Sequence, residues 1–102
     1  VDPEDLLECC TGFDWDDGNL EKNWEIHRVS FWEAEEIFLN EPLVMAPDFK
    51  HSESEPRFLA LGQADSGRRL LVSFMVRGSL IRVISARDMT RKEVSSYEHK
   101  EK

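Results

Sequence analysis

Cysteine is scarce in this 102-residue chain, and so are basic residues in its first half. The two cysteines, Cys9 and Cys10, are neighbours, and adjacent side chains reach disulfide geometry only with backbone strain. They also lack the C-x-x-C spacing of a zinc site, so both are expected to be free thiols in a reducing cytoplasm. No run approaches the ~18 apolar residues of a spanning helix, and no charged-then-apolar signal segment opens the sequence. A secreted or membrane-anchored protein is therefore not expected. Glycine-rich phosphate loops and nucleophile elbows are missing as well. The acids Asp14, Asp16 and Asp17 match no calcium loop and fall at a helix start, where acids favour the macrodipole. Neither a metal nor another cofactor is expected.

What is present is a 40% apolar, 33% charged chain of net charge -8, enough apolar content for one domain of this length. The charge is unevenly spread. Residues 1–55 carry sixteen acids and three bases, or -13, whereas residues 56–102 carry five acids and ten bases, or +5. Such asymmetry points to a charged partner for the second half, or to halves that pair with each other.

Periodicity orders the elements. Residues 1–12 have no clear period and read as a poorly ordered leader. Phe13-Asp14-Trp15 alternates as a strand. Asp16 is placed to cap a helix running to about His27, with Leu20, Trp24 and His27 on its inner face. Ser30 with Glu33 makes a capping box for a helix that turns Phe31, Ala34, Ile37 and Phe38 inward and ends at Asn40 before Glu41-Pro42. Strands are expected over Leu43–Ala46, Arg57–Ala64, Arg69–Val76 and Leu80–Ala86. Asp65-Ser66-Gly67 and Arg77-Gly78-Ser79 supply the turns. Thr90 with Glu93 opens a last helix carrying Val94 and Tyr97, and residues 99–102 fray. The order β-α-α-β-β-β-β-α, with helices set apart from an antiparallel meander, gives an α+β domain over residues 13–98.

Several pieces together resemble BrnT-type toxins of bacterial toxin–antitoxin pairs. They are Phe13-x-Trp15-Asp16, Asn23, His27, Val29-Ser30-Phe31 with Glu33-Ala34, then Pro47-Asp48, His51-Ser52-Glu53, Glu55 and Arg57. Gly67-Arg68, Ile81 to Arg87, Thr90-Arg91, Glu93 and Tyr97 complete the series. The resemblance implies a RelE-like fold and a cytoplasmic ribonuclease toxin. It also implies a cognate antitoxin partner that itself binds DNA, so that DNA is met only indirectly. The chain departs from the family at Asn19 and Ile26, where lysines are usual, at Asp17 for a proline, and at Arg28 for the glycine of a His-Gly pair.

Cutting RNA without a metal takes a base for the 2′-OH, cations for the developing phosphorane and an acid for the leaving 5′-oxygen. Arginine suits the second task because its planar fork grips phosphate oxygens. Arg57, Arg82 and Arg87 are the candidates, expected to converge if their strands are neighbours; carboxylates such as Glu53, Glu55 or Glu93 are the alternative partners. Histidine suits proton transfer near neutrality. His51 lies in a polar loop, while His27 falls on an apolar stripe and reads more readily as a core histidine. Tyr97 can stack or donate a proton, although its spacing from Val94 favours packing. Arg68, Arg69, Arg91 and Lys92 are the remaining expected RNA contacts. Two functions follow: an endoribonuclease toxin acting on mRNA, or a RelE-like interaction protein that binds an antitoxin-like partner without cleaving RNA. A DNA-binding regulator lacks a basic or helix-turn-helix element.

Overall fold

The computed structural model describes residues 3–51 and 55–101; Ser52 and Glu53, named above with His51, lie outside them. The chain runs α1 (Pro3–Glu8), β1 (Gly12–Trp15), α2 (Asp17–His27), α3 (Phe31–Glu36), β2 (Val44–Pro47), β3 (Phe58–Gln63), β4 (Arg69–Arg77), β5 (Leu80–Asp88) and α4 (Arg91–Glu101). A 3-10 turn, Phe49–His51, follows β2. The five strands form one sheet in the order β1-β5-β4-β3-β2. The last four make an antiparallel meander, and β1 adds to β5 in parallel. The α+β architecture and the order β-α-α-β-β-β-β-α from β1 onward are those read from the sequence, but the parallel β1–β5 pair makes the sheet mixed rather than wholly antiparallel. The segment read as a leader is helical over Pro3–Glu8, and Leu7 and Cys10 pack against the core. No helix among the described residues is long and apolar enough to cross a membrane.

The core lies between α2–α3 and one sheet face. Phe58 and Ala60 of β3, Leu70, Val72 and Phe74 of β4, and Ile81, Val83 and Ala86 of β5 meet Val29, Ala34 and Ile37. Strict alternation along β3 puts Phe58, Ala60 and Gly62 inward. A side chain at Gly62 would bring its Cβ to 2.8 Å from that of Ile37, so glycine there permits the close helix approach. Helix α4 packs on the opposite face, where Tyr97 is fully buried.

Two helix faces differ from expectation. On α2 the buried residue is Asn23, while Trp24 is 49% exposed and His27 is exposed, so the stripe of Leu20, Trp24 and His27 is not the inner face. The reason is a non-local hydrogen bond: β1 ends opposite Val83, and beyond it Asn23 Oδ1 accepts from the Ala86 N–H at 3.2 Å. Satisfying that buried strand donor outweighs burying one more ring. On α3 Phe31 is 43% exposed, edge-on to Trp32, whereas Ala34 and Ile37 are buried as expected. That helix ends at Glu36, short of Asn40.

The caps follow the sequence closely. Asp16 accepts from Gly18 N and Asn19 N. Glu33 accepts from both the backbone N and the hydroxyl of Ser30. Thr90 and Glu93 form a reciprocal box: Thr90 N donates to Glu93, and Glu93 N donates to the threonine hydroxyl. Arg28 closes α2 in the left-handed region at φ 54°, a conformation that glycine takes more cheaply.

Candidate functional site

Register places the candidate side chains. Pro47 pairs with Phe58, Phe58 with Phe74, Phe74 with Val83 and Val83 with Trp15, a row that faces the core. One residue further along each strand gives the neighbouring row, Asp48–Arg57–Met75–Arg82–Asp14, which alternation sends to the other face. The Asp48 N–H donates to the Arg57 carbonyl at 2.8 Å, so the β2–β3 pairing persists into this row. Arg57 directly precedes β3, and β4 separates it from Arg82 on β5. Two strand spacings put their backbones about 10 Å apart, close enough for both long side chains to reach one phosphate.

Arg87 shares that face only because of a bulge. Five residues from Arg82, it would point the opposite way on a regular strand. Ser73 pairs with Ser85 but Phe74 with Val83, so Ile84 is an extra residue that restores the parity. Arg82 then lies beside Met75 and Arg87 beside Leu71, four residues or about 13 Å apart along β4. The expected meeting of three guanidinium groups reduces to two in a row and a third displaced toward α4.

Carboxylates hold most of these cations. Arg82 donates to Asp14 Oδ2 at 2.8 Å and to Asp16 Oδ2 at 3.3 Å. Arg87 is bidentate to Glu93 at 2.8 and 3.0 Å, which holds the Glu93 carboxyl below the usual range and raises the arginine. Arg68 donates to Asp88, to Glu33 and to the carbonyls of His27 and Arg28. Arg69 pairs with Glu98 at 2.6 Å and lies over the Tyr97 ring, and Arg77 pairs with Glu55. Three of these arginines, Arg68, Arg77 and Arg82, reach acids of the first half. The uneven charge of the two halves is thus partly an internal pairing.

The other candidates separate cleanly. His51, 57% exposed at its side chain, sits with Nδ1 2.9 Å from Asp48 Oδ2. His27 is exposed at the end of α2 and is not a core histidine; its carbonyl serves Arg68. Tyr97 donates its hydroxyl to the Pro42 carbonyl at 2.6 Å from a fully buried position. Arg91 and Lys92 are exposed in the first turn of α4. No group of three or more His, Cys, Asp or Glu among the described residues is arranged to hold a metal ion. Asp48 and Phe49, the latter 85% exposed in the same turn as His51, are further candidates that the sequence reading did not single out. The Asp-x-x-His spacing was the available signal for Asp48.

Residues 15–93 match the family described as ribonuclease toxin, BrnT, of type II toxin-antitoxin system. The chain belongs to the BrnT toxin family. Its fold is similar to that of the Brucella abortus ribonuclease toxin, BrnT, known from a 1.1 Å crystal structure, with a TM-score of 0.61 at 21% identity. That likeness covers 79% of this chain and 99% of the Brucella chain. Among curated proteins, none matches the chain by sequence. The BrnT match runs from Trp15 to Glu93, so it contains every member of the cross-strand row except Asp14.

Proposed function

We propose that this BrnT-family chain is a bacterial, cytoplasmic endoribonuclease that cleaves mRNA without a metal and is neutralised by a cognate DNA-binding antitoxin. The observation that carries the reading is the cross-strand row that sets Arg57 and Arg82 level on one sheet face. Two guanidinium forks at that spacing can hold both non-bridging oxygens of a scissile phosphate and stabilise the charge that grows as the 2′-oxygen attacks. A histidine takes the 2′-OH proton, the P–O5′ bond breaks, and the products are a 2′,3′-cyclic phosphate and a 5′-OH. Phe49 offers an exposed ring on which an unpaired base can stack, which favours single-stranded RNA. Arg91 and Lys92 extend the basic surface for the RNA backbone. The buried, hydrogen-bonded Tyr97 is left to packing, and Arg68, Arg69 and Arg87 to holding α2 and α4.

A second reading has its own support. The Arg82 fork is already held by Asp14 and Asp16, as in a RelE-like interaction protein that binds an antitoxin-like partner without cutting RNA. Arg82→Ala separates the two. Under the ribonuclease reading it lowers kcat on a synthetic single-stranded RNA by about 10²–10³-fold and relieves growth arrest on induction. Under the interaction reading, wild type and variant both leave RNA intact and growth normal.

A further inference from the structure

We infer that Asp48 and His51 form the proton-transfer dyad of this site, with His51 Nε2 as the base for the RNA 2′-OH and Asp48 as the residue that positions it. The inference rests on the ribonuclease reading and names which histidine acts. Asp48 is fixed through its backbone and its carboxylate. Its N–H donates to the Arg57 carbonyl, its own carbonyl accepts from the His51 N–H at 3.3 Å, and its carboxylate meets His51 Nδ1 at 2.9 Å. The carboxylate is 11% exposed and the imidazole 57% exposed, so the anchor is covered while the ring reaches solvent.

An ionised carboxylate only accepts hydrogen bonds, so Nδ1 must carry the proton in this contact. In the neutral ring this leaves the lone pair on Nε2, the tautomer a general base requires. The same backbone bond that fixes Asp48 also fixes Arg57, so the dyad is registered to one of the two phosphate-gripping arginines. A base held by an orienting carboxylate next to a phosphate cradle is the arrangement that 2′-OH attack needs. The proton passes from the 2′-OH to Nε2, the 2′-oxygen bonds to phosphorus as the P–O5′ bond breaks, and the departing 5′-oxygen takes a proton from water, whose hydroxide is then neutralised by the proton held on His51. His27 is exposed at the end of α2, on the helix that packs on the core side of the sheet, and the carboxylate within reach of its charge, Asp88, is already held by Arg68.

The test uses the full chain and a synthetic single-stranded RNA. His51→Ala, at an exposed position, should keep the fold, hold KM within about twofold and lower kcat by about 10²-fold, with partial rescue by added imidazole. Asp48→Asn should lower kcat with KM again unchanged. Histidine ¹⁵N spectra should show the Nδ1–H tautomer for His51 in the wild type and a shift toward Nε2–H in Asp48→Asn. A wild type that cuts RNA with kcat unchanged in His51→Ala, or with a wild-type Nε2–H tautomer at His51, overturns the dyad and leaves the ribonuclease reading standing. A wild type that cuts no RNA overturns both.

Discussion

Replacing Arg68 with methionine tests whether the basic residues of the second half hold RNA or hold the fold. Methionine keeps much of the apolar stem and removes only the guanidinium. That group donates to the carbonyls of His27 at 3.0 Å and Arg28 at 2.8 Å, the last carbonyls of α2, where a cation also favours the helix dipole. It bridges as well to Glu33 and Asp88, whose side chains are 20% and 62% exposed. The Asp88 arm is open to water and belongs in the range of ~0.2–1 kcal/mol for surface pairs. The two carbonyl contacts are charge-assisted and partly covered, each contributing about 1 kcal/mol after screening. The expected loss is about 2–3 kcal/mol, which in a domain of this size lowers Tm by about 10–20 °C. Urea denaturation followed by circular dichroism reads it directly, with Arg91→Ala as the exposed control inside ~0.5 kcal/mol. A loss for Arg68→Met no larger than the control would refute the structural assignment and return Arg68 to the RNA surface.

Two further outcomes follow from the same contacts. Tyr97→Phe deletes the hydroxyl that bonds the Pro42 carbonyl, so stability should fall by about 1 kcal/mol while RNA cleavage is retained; loss of cleavage with the fold intact would place the tyrosine in the chemistry. Asp88 is held below its ordinary 3.8 chiefly by Arg68, and Glu93 below 4.5 chiefly by Arg87. Glu33 also lies below 4.5: burial raises it, but the Ser30 hydrogen bonds and Arg68 outweigh that. Carboxyls lowered in the folded state stabilise it above their unfolded values, and that contribution is lost as pH falls through the folded ones. The urea midpoint should therefore hold steady from about pH 7 to about pH 5 and drop below about pH 4.5, less steeply in Arg68→Met. A wild-type midpoint that stays level to about pH 3 would contradict the pairing.

The antitoxin is expected to compete at the same face. Arg82 already donates to the carboxylates of Asp14 and Asp16, and an RNA phosphate bound there as proposed would have to displace them. An acidic partner segment would exploit the same fork. The intramolecular contact is thus a small-scale version of the neutralisation proposed for the pair.

Much of the fold was legible because its causes are local. Alternation set the faces of β3, Ser30–Glu33 and Thr90–Glu93 marked helix starts, and Gly67 and Gly78 marked the two hairpins, where φ is positive. The strand expected over Arg69 to Val76 is a long apolar run because β4 is central, flanked on both sides. The faces of α2 and α3 were misread at Trp24, His27 and Phe31. Helical spacing says which residues share a stripe, but not whether a neighbouring strand needs the Asn23 amide there instead.

Composition and period by themselves determined a single α+β architecture, and the ordered motifs determined the BrnT family. Which cations share a site is a different kind of fact. Arg57 and Arg82 become level through β4 between them, and Arg87 joins their face through one extra residue at Ile84. Asp48 comes into the row through a backbone bond to Arg57. The partners of Arg68, Arg77 and Arg82 lie 20 or more positions away along the chain. Coulomb attraction depends on distance in space, whereas sequence reports distance along the chain; only the folded register converts one into the other.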